Sequence, residues 1–372
     1  MARVLVIASF TPSLINFRGA LLRRFLELGH EALTCSPEPD SEAVAELAGM
    51  GIRHIAFPMR RAGMNPIDDL RTLSALRAIM RRERPDHVLA YTIKPVIYGC
   101  LAASKERIPH AHALVTGLGT TFQGNSPGRR LLTAVVSRLY RSALTTCENV
   151  FFQNQDDREL FVERGLVDPG KVTLVHGSGI DLQHFAQVPL AEVLQPRFLL
   201  IARLIREKGI AVYAEAARKV KAEFPDAVFR VVGYFESHPT AIRREEMQAW
   251  CEQGILEYLG PSKDVRGPLS KATVYCLPTY YREGVPRSIL EALAVGRPII
   301  TTDSPGCRDT VVPGENGYLV PVRDADALAS AMLELCRNPG RIRAMGKRSR
   351  RLAESRFDVS QVNECLTSTM GL

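Results

Sequence analysis

Glu283 and Glu291 stand eight positions apart in the segment Glu283-Gly-Val-Pro-Arg-Ser-Ile-Leu-Glu291. The first precedes a Gly-Val-Pro turn, and the second lies on the first turns of the helix which that turn opens. Two carboxylates so placed can accept hydrogen bonds from vicinal hydroxyls, as on a sugar or a ribose. The backbone of Gly284, Val285 and Pro286 between them sits at a helix start, where N–H groups favour anions and hydroxyls. The same spacing also suits a first-turn acid that favours the helix dipole, paired with a solvated loop charge.

Arg203 and Lys208, in Ile201-Ala-Arg-Leu-Ile-Arg-Glu-Lys-Gly209, flank a second turn. A guanidinium fork with a nearby ammonium can neutralise a diphosphate and stabilise its departure; an exposed basic turn would read alike. Gly19 opens a helix after the loop Ser9–Arg18, where its backbone can approach a phosphate or simply ease a turn. Lys94, in Tyr91-Thr-Ile-Lys-Pro-Val, and Thr116 and Gly117, in Thr-Gly-Leu-Gly, follow strand-like runs and are candidates for holding an acceptor. His110 and His112 share one face of a strand without a third ligand and read as structural. Asp324-Ala-Asp326 spells a D-x-D, yet it opens a helix that acids would cap, so no metal site is expected. No G-x-G-x-x-G is present, which argues against a nicotinamide or flavin enzyme.

These residues need scaffolds that end where the chemistry begins. Apolar strand-like runs at 3–8, 31–35, 87–91, 111–115 and 150–152 alternate with helical patterns. After a connection at 184–195 the alternation restarts, with runs at 198–202, 228–232, 255–259, 273–276 and 298–301. This order predicts an α/β protein of two doubly wound, Rossmann-like domains facing across a cleft, over 1–190 and 191–350, with a C-terminal helix in 351–372 packing back on the first. Ligands of such sheets lie beyond the carboxyl ends of the strands, where the candidate residues fall.

Composition sets the outer limits. At 372 residues, 46% hydrophobic and 24% charged, the chain suits two ordinary globular domains. No apolar run approaches the roughly 18 residues of a membrane span, and the short apolar start reads as a buried strand, which predicts a cytoplasmic protein. Eight cysteines without a C-x-x-C read as buried thiols. The net charge of +8 comes without a zinc finger or an aromatic-interleaved basic motif, so nucleic acid is not an expected partner. Arginines instead cluster at 60–84 and 129–141, the latter on a segment with helical apolar spacing. Such a helix can lie on an anionic membrane, or bury its apolar face in a core.

Together, the FRG loop, GSGID at 177–181, RLIREKG at 203–209, EGVPRSILEALAVGRPII at 283–300 and PGCRDTVVPGENGYLVP at 305–321 resemble the retaining GT-B glycosyltransferases of family 4. LINFRGALL, YTIKPVIYG and TGLGTTF carry a closer resemblance to bacterial enzymes of capsule, O-antigen and lipid-linked oligosaccharide assembly. The resemblance implies a cofactor-free, metal-independent enzyme that uses a nucleotide sugar, UDP-linked, and a polyprenyl-diphosphate-linked acceptor at the inner face of the plasma membrane. It makes Arg203 and Lys208 the diphosphate clamp, Glu283 the carboxylate near the donor sugar and Glu291 the ribose binder. Gly284–Pro286 would contact sugar and phosphate, Gly19 the phosphates from the opposite domain, and Lys263–Val265 the base. The histidine that many relatives place near the reacting sugar has no secure equivalent here. Same-fold alternatives are a sugar-nucleotide epimerase or a sugar synthase; a non-catalytic nucleotide-sugar sensor is another.

Overall fold

The computed structural model describes residues 1–61, 63, 65–119, 122, 126–190 and 196–372. Parts of two expected loops, 120–121 and 123–124 in TGLGTTFQG and 191–195 in the connection, lie outside the described residues. The chain divides into two compact units, Met1–Gly179 with Val359–Leu372, and Ile180–Asp358. Residues 180–190 and 351–358 therefore belong to the second unit, whereas the expected limits were 190 and 351.

In unit 1, strands β1 (Arg3–Ile7), β2 (Glu31–Ser36), β3 (Arg53–Ala56), β4 (His87–Tyr91), β5 (His110–Val115), β6 (Asn149–Phe152) and β7 (Val172–Leu174) form one sheet in the order β3-β2-β1-β4-β5-β6-β7. All its pairings are parallel. Side chains alternate across a strand, so Leu5 and Ile7 join Val88 and Ala90 in one apolar layer, while Val4 and Val6 join Leu89 and Tyr91 in the other. Burial on both faces explains why these strands read as continuous apolar runs. The last helix, Val359–Met370, returns Val362, Leu366 and Met370 to the second of these layers.

Unit 2 repeats the plan with β8 (Arg197–Ile201), β9 (Val228–Val232), β10 (Glu257–Tyr258), β11 (Val274–Leu277), β12 (Ile299–Thr302) and β13 (Gly317–Val320), in the order β10-β9-β8-β11-β12-β13. Its pairings are also all parallel. In each sheet the order reverses once, between β1 and β4 and between β8 and β11. The loops leaving those strands diverge there and open a crevice at the carboxyl edge.

Tyr91 and Thr92 lead into a helix, Ile93–Lys105. Pro95 falls in its first turn, where proline is tolerated because the N–H groups there lack intrahelical acceptors. The helix packs closely on its sheet: a Cβ at Gly99 would come within 2.9 Å of Ile7 Cδ1. The histidines at the opposite edge are structural. His112 is buried with Nε2 3.2 Å from His87 Nδ1, and His110 pairs with Glu148 at 2.7 Å.

Candidate functional site

The β8 and β11 loops converge at the reversal point of unit 2. After β8 the chain makes a short 3₁₀ turn, Arg206–Lys208, closed by Gly209 at φ +78° before the helix Ile210–Glu223. A Cβ at Gly209 would lie 2.0 Å from the Pro278 carbonyl oxygen, so only glycine lets the loops approach this closely. The Glu207 carbonyl accepts the N–H groups of Tyr280 at 2.8 Å and Tyr281 at 3.1 Å, and lies 3.0 Å from the buried Thr279 hydroxyl.

This stitching sets the charged groups. Lys208 forms an ion pair with Glu283, and their side chains are only 12% and 13% exposed. Thr279 Oγ1 lies 3.4 Å from the same Glu283 oxygen. Tyr281 packs beside both cations, its ring centroid 5.4 Å from Lys208 Nζ and 5.7 Å from the Arg203 guanidinium carbon. Arg203 also pairs with Glu236 at 3.2 Å and is 44% exposed. The structure thus brings Arg203, Lys208 and Glu283 together. Arg203 is exposed, whereas the Lys208 ammonium is enclosed by its carboxylate.

Glu291 lies on the helix Arg287–Val295, 13% exposed and 3.2 Å from Arg287. Burial pushes its carboxyl up to about 7 against the partial compensation of Arg287. Pro286 precedes that helix and offers no side-chain acceptor to its first N–H groups, while Val285 is buried in the unit 2 core. The Gly284 carbonyl is held against Gly306, where an added Cβ would stand 1.5 Å from it. Val265 precedes the short helix Arg266–Lys271 and packs partly buried on the same core; Lys263, two residues earlier, is exposed.

The unit 1 candidates fare unevenly. Gly19 is buried at the start of the helix Gly19–Glu27, and a Cβ there would meet no atom within 4 Å. Thr116 and Gly117, the latter at φ +109°, follow β5 at the carboxyl edge. Lys94, expected to reach an acceptor, instead lies in the first turn of Ile93–Lys105 and pairs with Asp69 at 2.9 Å, both nearly buried. That charge faces Asp69 within unit 1.

Among the described residues no three His, Cys, Asp or Glu side chains converge as metal ligands. Asp324 caps its helix by accepting the Ala327 N–H at 2.8 Å, and Asp326 pairs with Lys219. The arginine clusters are partly spoken for: Arg77 and Arg81 bind Glu106, and Arg82 binds Glu83. Exposed apolar side chains lie near them, Ile67 and Leu70 on the helix Pro66–Glu83 and Leu131 and Val135 on Pro127–Thr145.

Sequence reasoning passed over Tyr281, Thr279, Glu236 and Gly306. Only Gly306 carried a signal, in the turn-forming Ser304-Pro-Gly-Cys307.

Residues 17–177 match the family model described as "Glycosyl transferase 4-like domain", and 195–338 the one described as "Glycosyl transferases group 1". The chain is 26% identical over 329 residues to N,N'-diacetylbacillosaminyl-diphospho-undecaprenol alpha-1,3-N-acetylgalactosaminyltransferase of Campylobacter jejuni, covering 85% of each chain. It is 25% identical to UDP-Gal:alpha-D-GlcNAc-diphosphoundecaprenol alpha-1,3-galactosyltransferase of Escherichia coli, covering 76% of this chain and 75% of the relative. Its fold is that of Anabaena Alr3699/HepE, solved with UDP and glucose, at a TM-score of 0.79, 15% identity and full coverage of both chains. Two parallel α/β units, each with its loops gathered at one sheet reversal, and family models matching along both make this chain a member of the family 4, group 1 glycosyltransferases, with the GT-B fold.

Proposed function

We propose that the enzyme transfers an N-acetylhexosamine from a UDP-sugar to a sugar on a polyprenyl diphosphate in surface-polysaccharide assembly, with retention at the anomeric carbon and without a metal. The observation that carries the reading is the Lys208–Glu283 pair beside Arg203 at the unit 2 reversal point, with Glu291 on the adjoining helix. The activities named for the C. jejuni and E. coli relatives support the acceptor class. As the glycosidic bond to UDP breaks, negative charge grows on the diphosphate, and cations that grip it more tightly then lower the barrier. Arg203 and Lys208 supply that charge, and Glu283 accepts hydroxyl hydrogen bonds from the sugar as its ring becomes cationic. Glu291 accepts the ribose hydroxyls. The acceptor hydroxyl attacks from the leaving-group face and passes its proton to a diphosphate oxygen.

A thermal-shift panel of UDP-, GDP- and ADP-sugars should single out a UDP-sugar. Mass measurement on a lipid-diphosphate acceptor should then show one added N-acetylhexosamine, with activity retained in EDTA. Epimerised donor without transfer, or binding without turnover, would overturn the transferase reading. Loss in EDTA restored by magnesium or manganese would overturn the metal-free one.

The proposed acceptor places part of unit 1 against lipid. No helix of the described residues is long and apolar enough to cross a membrane. Leu70 and Leu131 are 65% and 68% exposed beside arginines, a pairing suited to an anionic interface. The expected result is binding to phosphatidylglycerol vesicles that weakens as salt rises, and that drops about tenfold in Leu70→Glu/Leu131→Glu with the melting temperature unchanged. Equal binding to neutral vesicles, or none to either, would leave these as plain surface residues.

A further inference from the structure

Each cation at the unit 2 reversal point faces a carboxylate, but the two pairs are built differently. Lys208 and Glu283 are nearly enclosed, and parting them would leave a carboxylate with little water and no ammonium, a costly change. Arg203 and Glu236 are 44% and 32% exposed, and the guanidinium reaches the acid through one nitrogen, Nη1, at 3.2 Å. That is longer than the roughly 2.7–2.9 Å of a strong charge-assisted hydrogen bond. An ion pair this open holds weakly, by up to about fivefold in an equilibrium. Three residues on, Arg206 takes Glu246 through two nitrogens, at 3.3 and 3.0 Å.

The backbone, rather than that weak contact, keeps Glu236 in place. The loop leaving β9 is laced to the loop leaving β8: the Leu204 N–H donates to the Tyr234 carbonyl at 3.0 Å and the Arg206 N–H to the Thr240 carbonyl at 2.9 Å. The Ile242 N–H donates back to the Leu204 carbonyl at 2.8 Å. Phe235, the residue before Glu236, is anchored between Tyr258, ring centroids 5.3 Å apart, and the Arg244 guanidinium carbon, 4.4 Å from its own centroid. An acid is thus stationed beside the more open of the two cations. It adds little to stability there, and it opposes any anion that Arg203 is to bind.

We propose that Glu236 is an exchangeable counter-anion: a nucleotide's diphosphate takes its place on Arg203, and Glu236 reclaims the guanidinium as the nucleoside diphosphate departs. Cations that grip a leaving diphosphate also retain it as product, and product release limits many enzymes. A weak competing carboxylate on an anchored loop lowers that retention and leaves the enclosed Lys208–Glu283 pair intact. The proposal rests on the sugar-transfer reading for the identity of the ligand.

The test is calorimetric titration of the full chain with UDP. Glu236→Gln keeps the shape and drops the charge; it should bind UDP about fivefold more tightly, with the melting temperature unchanged. UDP should inhibit its sugar transfer at correspondingly lower concentration. In an Arg203→Ala background the same change should leave UDP affinity unaltered, because the exchange partner is gone. Glu246→Gln, which removes an acid from the neighbouring Arg206 pair, should stay at the parent affinity. Weaker UDP binding in Glu236→Gln would make Glu236 a residue that orients Arg203, and equal binding would make it a plain surface acid; either overturns the exchange. A gain that persists without Arg203, or that Glu246→Gln matches, would reduce it to a general field and overturn it too. A chain that binds GDP or ADP in place of UDP refutes the UDP reading alone, and the same variants titrated with that nucleotide still decide the exchange. Binding of none of the three overturns both.

Discussion

Lys208→Ala is expected to lower turnover about 100-fold or more, the scale for losing a group that meets charge developing in the transition state. It is also expected to lower the melting temperature, because Glu283 would then be left as a nearly buried carboxylate without its ammonium. The two effects can be separated. In Lys208→Met/Glu283→Gln both charges are gone and the volume is roughly kept, so much of the lost stability should return while turnover stays low. Steady-state kinetics and thermal melts of the two variants decide it. Turnover that recovers together with stability would make the pair a structural strut. Arg203→Ala should depress turnover on a similar scale with little effect on melting, since Arg203 is 44% exposed and its contact with Glu236 is a surface one.

For Glu291→Gln the expected result is an enzyme that binds donor worse and, above neutral pH, folds better. Burial holds the Glu291 carboxyl at about 7, against about 4.3 for an unperturbed glutamate. Between those values the folded chain carries a proton that the unfolded chain has lost. The stability linked to Glu291 is therefore fully present below about pH 4 and is lost as pH rises through 7. A shift of that size corresponds to roughly 3 kcal/mol, and the glutamine variant should lack this pH dependence. The donor KM should rise by about 1–3 kcal/mol in free-energy terms, for a lost charge-assisted hydrogen bond to the ribose. Wild-type donor affinity should improve as pH rises through 7, since a hydroxyl donates best to an ionised carboxylate. Urea denaturation at pH 5 and pH 8, with donor kinetics at both, tests this; equal pH slopes for the two proteins would make Glu291 an ordinary acid.

Both glutamates were legible because chain order alone placed them: a strand, a Gly-Pro turn and an amphipathic helix fix where residues 283 and 291 must fall. The strands His87–Tyr91 and Val228–Val232 were readable for a related reason, since burial on both faces leaves an apolar run that turn residues bound. By contrast, β3 has the sequence Arg-His-Ile-Ala with both ends exposed, and edge position removes the apolar signal. The partner of Lys94 was illegible for another reason: Asp69 lies 25 residues away and meets it only through the packing of two helices. Glu236 beside Arg203 is the same kind of contact, separated by 33 residues. What a charge faces across the fold is not written in its neighbours along the chain.

The path of the backbone also dictates an order of assembly. Unit 1 begins at the first residue, yet Val362, Leu366 and Met370 complete one of its two apolar layers. Those three side chains are synthesised only after the whole of unit 2. The unit made first is therefore finished last, and until release it exposes an uncovered apolar strip along the helix Gly19–Glu27, which Val359–Met370 later packs against. A released chain truncated after Asp358 should hold a folded unit 2 beside an N-terminal unit that proteases and chaperones still recognise as unfinished.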